Sequence, residues 1–178
     1  MGCPNFRNFE HVRTFSTDSL GTKIMDNFKF NQAKSFIATD INRELSLAKA
    51  SQSLWKKTIL KALGISPGGG NFLAALCLLS YTEFAGRVLN NDFSDSNSRT
   101  NFDSFFNSIG SEYKAFNESH NVYKIFRCGL AHEYYVKKSC VIAITSIKKG
   151  IGIRWDGKHY YFILDAYYSD FMKKLSEL

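Results

Sequence analysis

Apolar residues recur at three- and four-residue steps through most of this chain and change to strict alternation only in its last quarter. Between Asp40 and Leu63 the apolar positions Ile41, Leu45, Ala48, Leu54 and Ile59 follow helical spacing, with Asp40 placed as N-cap and Gly64 as the stop. Ile65 to Gly70 then reads as a glycine-rich loop, and Asn71 is placed to cap the next helix. That helix, Phe72 to Leu89, is apolar nearly all round in its first half, the pattern of a helix at the centre of a bundle. Glu83 and Arg87 within it form an i,i+4 pair. A polar loop, Asn90 to Thr100, leads into a shorter helix at Asn101 to Ile109, with room to continue past Gly110 towards Phe116. Val122 to Val136 predicts a further helix whose stripe is Val122, Phe126, Gly129 and Leu130. Gly129 weakens a helix, so it marks either a close backbone approach or a local bend.

Past Lys138 the period becomes two. Cys140 to Ser146, Ile151 to Trp155 and Tyr160 to Leu164 read as short strands, with turns at Lys149-Gly150 and Asp156-Gly157. Asp165 then caps a last helix to Leu178. The predicted fold is mainly α: a helical bundle closed by a three-stranded antiparallel meander and a final helix. Residues 1–39 read as an N-terminal arm, and 40–178 as a single domain with a helical core at 40–138 and the meander and last helix at 139–178.

With 178 residues, 44% of them hydrophobic and 16 of them Phe, the chain can bury a sizeable core. The run Phe72 to Leu79 is too short to span a bilayer, and the N-terminus lacks an uninterrupted secretory-type core. Four scattered cysteines and four histidines show no disulfide or zinc spacing, so reduced thiols, no metal and no cofactor are expected. A cytoplasmic location and no membrane partner follow as expectations. The net charge of +7 is uneven: residues 118–178 hold ten Lys/Arg against six Asp/Glu, and residues 67–117 hold three against five. A basic C-terminal third favours a polyanion or an acidic partner, unless the lysines serve solubility alone.

The segment Val122 to Lys138 concentrates the chemistry. Arg127 offers a planar, permanently positive fork for phosphate, and His132 is of the type that moves protons near neutral pH. Along an α-helix, five residues leave two side chains about 140° apart, so convergence calls for a bend or a second subunit. The stretch Arg127-Cys-Gly-Leu-Ala-His132, late in an all-helical core, resembles the signature of the HEPN superfamily: Arg, four to six residues, then His on the last core helix. Gly68-Gly69-Gly70-Asn71 and Tyr81-Thr82-Glu83-Phe84 look similar to small bacterial members of that group.

The resemblance implies a homodimer in which Arg and His of both subunits line one cleft. It also implies either metal-independent endoribonuclease activity, in a toxin, defence or RNA-processing role, or a relative that only binds. Arg127 would hold the scissile phosphate, and His132 would serve as general base or acid while the ribose 2′-hydroxyl attacks. Lys137, Lys138 and Tyr134 would bind substrate. Active members commonly place Asn or Asp after the Arg; here that position is Cys128, a poor hydrogen-bonding substitute. A catalytically inactive dimer that binds nucleic acid, an antitoxin or a nucleotidyltransferase partner is the alternative. On the residues alone, Arg127 reads equally as a cation paired to a nearby carboxylate, and His132 as a histidine packed at a helix end. A Cys128 thiol nucleophile with His132 is a third reading. Tyr160, Tyr161, Tyr167 and Tyr168 could stack bases beside Lys158, or form the packed face of the meander.

Overall fold

Helix α1 (Asn27–Ala50) has neither glycine nor proline along its length and buries Phe30, Ile37, Ile41, Leu45 and Ala48 on one side. In this computed structural model the described residues are 27–50, 53–65, 70–133, 140–145 and 150–178. The helix therefore begins well before the predicted boundary at residue 40, inside what reads as an arm. Asp40 lies in mid-helix, where it accepts a hydrogen bond from the Tyr81 hydroxyl at 3.3 Å and caps nothing. Phe30 and Ile37 carry the buried stripe of Ile41 and Leu45 backwards, and that continuity extends the helix to before residue 40.

The predicted single helix to Leu63 is two. Helix α2 (Leu54–Ala62) is separate and has no buried residue; Leu54 and Ile59, assigned to a core stripe by spacing, are exposed. Gly64 does end α2: its φ of +73° is a conformation open to glycine, and the Ile65 N–H folds back onto the Leu60 carbonyl at 2.8 Å.

Helix α3 (Gly70–Leu89) is the central helix, in contact with α1, with α4 (Ser98–Ser108) and with α6 (Leu164–Leu175). By length and composition alone its 20 residues could cross a membrane, but Ala74, Ala75, Leu78, Leu79 and Ala85 are buried in the core. Asn71 lies inside its first turn and reaches the Ile142 carbonyl at 3.5 Å instead of capping. Phe102, Phe105 and Phe106 of α4 are all fully buried, as their spacing requires. Helix α5 (Ser111–His120) is a separate helix, because Gly110 is extended between it and α4.

The sheet differs from the predicted meander. Its order is β1 (Cys140–Ala143), β3 (Tyr160–Ile163), β2 (Ile153–Trp155), with β1 parallel and β2 antiparallel to β3. The centre goes to β3 because Tyr160, Phe162 and Ile163 are its buried residues, while Val141 of β1 is exposed at an edge. No hairpin joins β1 to β2. The chain instead passes beside the start of α6, where a Cβ on Gly152 would lie 2.3 Å from the Tyr167 nitrogen. Only glycine permits that crossing.

The Asp156-Gly157 hairpin forms as predicted. The Asp156 carboxylate accepts the His159 and Lys158 N–H groups at 2.7 and 2.8 Å and the Tyr161 hydroxyl at 2.8 Å. Those bonds, His159 first, hold Asp156 down at about 2. A depressed carboxylate stabilises the fold above its ordinary range and loses that contribution as pH falls through its folded value. The Lys158 and His159 amides are therefore expected to lose hydrogen-exchange protection between about pH 4 and pH 2, and to lose it at all pH values in Asp156→Ala. Protection unchanged across that window would refute the assignment. Asp165 sits in the first turn of α6 and does not cap it; it accepts the Thr145 hydroxyl at 2.6 Å and pairs with Lys49 at 3.0 Å.

Candidate functional site

The Arg/His segment is aimed by the junction before it. Asn121 ends α5 in the left-handed conformation (φ 49°), and its Oδ1 accepts the Lys124 N–H at 3.3 Å. Asn117 Oδ1 takes the Val122 N–H at 2.9 Å, while its Nδ2 donates to Asp103 and Asn107 at 2.9 and 3.0 Å. The helical segment that follows buries Val122, Phe126 and Leu130, the predicted stripe, with the Phe126 ring edge-on to Tyr160 at 5.4 Å.

Its winding is unusual. Tyr123–Arg127 and Gly129–Glu133 are π-helical, and the Cys128 N–H bonds back to the Tyr123 carbonyl, an i→i+5 step. Such turns hold more residues than an α-turn and are found frequently at functional sites. An i→i+5 winding turns fewer degrees per residue than an α-helix, so the angle between Arg127 and His132 is narrower than an α-helix allows. The second π-turn starts at Gly129.

Arg127 is turned onto α3. Its Nη2 lies 2.9 Å from Glu83 Oε2, and Arg87 Nη2 reaches Glu83 Oε1 at 3.2 Å. Glu83 is 8% exposed and both arginine side chains 21%, so one nearly buried carboxylate serves two cations. The Arg127 contact is close but off the hydrogen-bonding line, leaving Glu83 Oε2 and Arg127 Nε buried without a hydrogen bond among the described residues. Charge attraction, not an aligned fork, holds this pair. The Arg127 guanidinium carbon also stands 5.9 Å from the Tyr123 ring centroid, and Arg87 is anchored further by Ser98 Oγ at 3.2 Å.

His132 faces outward. It is exposed, and among the described residues no hydrogen bond or ion pair joins it to Arg127. Cys128 is half-buried with its thiol near the Tyr123 hydroxyl, a setting for packing and not for an activated nucleophile. Tyr134, Lys137 and Lys138 lie outside the described residues. Tyr160 and Tyr167 are buried, and Tyr167 bonds Thr82 at 2.7 Å, so neither offers a face to a base. Sequence spacing identified the Glu83–Arg87 pair but missed that Glu83 also takes Arg127; only the α3 crossing puts them together. The legible hint was an acid in an otherwise apolar central helix.

Glu83→Gln keeps the shape but leaves two cations facing each other. It is expected to cost about 2–4 kcal/mol in urea unfolding, below the range for fully buried pairs because both arginines keep some solvent. A cost under about 0.5 kcal/mol would show that the cluster is solvated and contributes nothing. Among the described residues, no group of three His, Cys, Asp or Glu side chains is placed to hold a metal ion. Comparison with known proteins finds no protein-family model that matches the chain, and neither a curated protein nor a solved structure similar to it.

Proposed function

We propose that this chain is a metal-independent endoribonuclease of the HEPN type, acting in the cytoplasm as a homodimer with Arg127 and His132 at its centre. The observation that carries the reading is the π-helical winding from Tyr123 to Glu133, which leaves a narrower angle between the two residues than an α-helix would. Two further features support it. Arg127 keeps part of its side chain exposed, and one of its donors has no hydrogen bond among the described residues. His132 is open to solvent and so to a substrate.

In this reading, His132 accepts the proton of a ribose 2′-hydroxyl while its oxygen attacks the adjacent phosphorus. The bond to the 5′-oxygen breaks, and that oxygen takes a proton from a second acid, supplied in a dimer by the other copy. Arg127 steadies the charge that builds on the phosphoryl oxygens. The products are a 2′,3′-cyclic phosphate and a 5′-hydroxyl.

A second reading is favoured by the Glu83–Arg127 ion pair itself together with Cys128: an inactive HEPN-like dimer that binds nucleic acid, an antitoxin or a nucleotidyltransferase. In it, Arg127 chiefly locks its helix onto α3. The separating experiment incubates the freshly purified protein with mixed structured and single-stranded RNAs in EDTA and maps the product ends. Cyclic phosphates in the wild type, lost in His132→Ala, support the nuclease. RNA retained intact but bound, or bound to nothing, supports the second reading.

A further inference from the structure

Helix α2 has no buried residue. Leu54 is 84% exposed, Trp55 75%, Leu63 just beyond its end 69%, and Ile59 43%. Successive residues turn by about 100° around a helix axis, so Trp55, Ile59, Ala62 and Leu63 share one arc. Lys57 and Lys61 fall on the opposite side together with Leu54, and Lys56 borders the arc next to Leu63. An apolar face this open on a short, otherwise basic helix marks a surface that something covers.

Charge narrows the choice. From residue 45 to residue 82 the chain has no Asp or Glu, but α2 holds Lys56, Lys57 and Lys61. The covering surface must therefore be anionic and must also receive apolar side chains. RNA meets the first condition and could stack on Trp55, but it offers no cover for Ile59 or Leu63. A phospholipid surface meets both.

We propose that α2 is an interfacial anchor, laying its Trp55–Ile59–Leu63 face into the headgroup layer of an anionic membrane. Lysine stems cover apolar surface while their ammonium groups stay with the headgroups, and indole settles at that boundary. The helix is about 14 Å long, far short of a span, so it lies on the bilayer. The sequence-based expectation of no membrane partner rested on the lack of a spanning run; adhesion needs none. Anionic lipid is concentrated on the cytoplasmic leaflet, in keeping with a cytoplasmic protein. The proposal stands on α2 alone and is independent of the nuclease reading.

Trp55 reports on itself. In full-length Trp155→Phe it is the one remaining tryptophan of the two in the chain. Its emission is expected to shift to the blue with phosphatidylcholine vesicles containing phosphatidylserine, and not with phosphatidylcholine alone. Co-sedimentation should weaken about five-fold for Lys56→Gln, at the edge of the arc, and by less for Lys57→Gln and Lys61→Gln on the far side, and reverse in salt. Trp55→Ala should abolish it with the circular dichroism spectrum unchanged, since the side chain supports no core. Four results would each overturn the proposal: no shift with either vesicle, an equal shift with both, a shift with protein concentration in the absence of lipid, or a shift produced by RNA and not by vesicles. The third would assign the face to a second copy of the chain, and the fourth to nucleic acid.

Discussion

His132→Ala is expected to lower the rate of RNA cleavage by about 10²- to 10⁴-fold, the usual contribution of a positioned proton-transfer group, and to leave the unfolding midpoint unchanged. The two halves of this expectation rest on different observations. The loss follows from the proposed role of His132 in moving the 2′-hydroxyl proton. The unchanged midpoint follows from its exposure and its lack of a hydrogen-bonding partner among the described residues. That makes His132 a cleaner probe than Arg127, whose removal also strips a counter-charge from nearly buried Glu83. Arg127→Ala would lose stability and activity together, and the two could not be separated. Single-turnover cleavage of one RNA, followed beside thermal unfolding of the same preparation, decides the matter. Equal cleavage by wild type and His132→Ala would trace the activity to a contaminant or to other residues.

Gly86→Ala is expected to destabilise the protein by about 2 kcal/mol or more, even though alanine favours a helix by about 1 kcal/mol over glycine. Gly86 lies near the end of α3, fully enclosed against α4. A Cβ there would meet the Asn101 carbonyl oxygen at 1.7 Å and its carbon at 2.4 Å, both backbone atoms that cannot rotate away. The two helices would have to separate, and Phe102, Phe105 and Phe106 would lose their packing against the core. Nearby polar bonds would suffer as well, because Asn90 donates to Asn101 Oδ1 at 2.8 Å and Asn101 donates to the Asp92 carbonyl at 3.1 Å. For a chain of this size the midpoint should fall by roughly 4–8 °C or more. The sign is the test: with open space around Gly86, the same change would raise the midpoint by the helix-propensity gain.

These two positions show how differently sites and cores are legible. Arg127 and His132 stand out as residue types with a spacing, and the segment holding them reads as a helix from Val122, Phe126 and Leu130 alone. Its winding does not: what marks it is a backbone bond, from the Cys128 N–H to the Tyr123 carbonyl, that the apolar stripe does not encode. Gly86, unremarkable inside an apolar helix, proves to be a position where α3 lies against the backbone of α4. Gly129 drew notice because it interrupts a motif.

Periodicity in the residues was enough to establish a helix-dominated chain with an apolar central helix, three short strands, an Asp156-Gly157 hairpin and a closing helix. Those properties are local: each depends on neighbours within a turn or a strand, so the chain order contains them. That α1 extends back before residue 40, which strand takes the middle of the sheet and which carboxylate Arg127 meets are settled by burial between distant segments. Phe30 joins the core, β3 sits between β1 and β2, and Glu83 comes to serve two arginines, because each arrangement removes apolar surface or charge from water across elements far apart in the chain. Spacing along one segment does not contain that information.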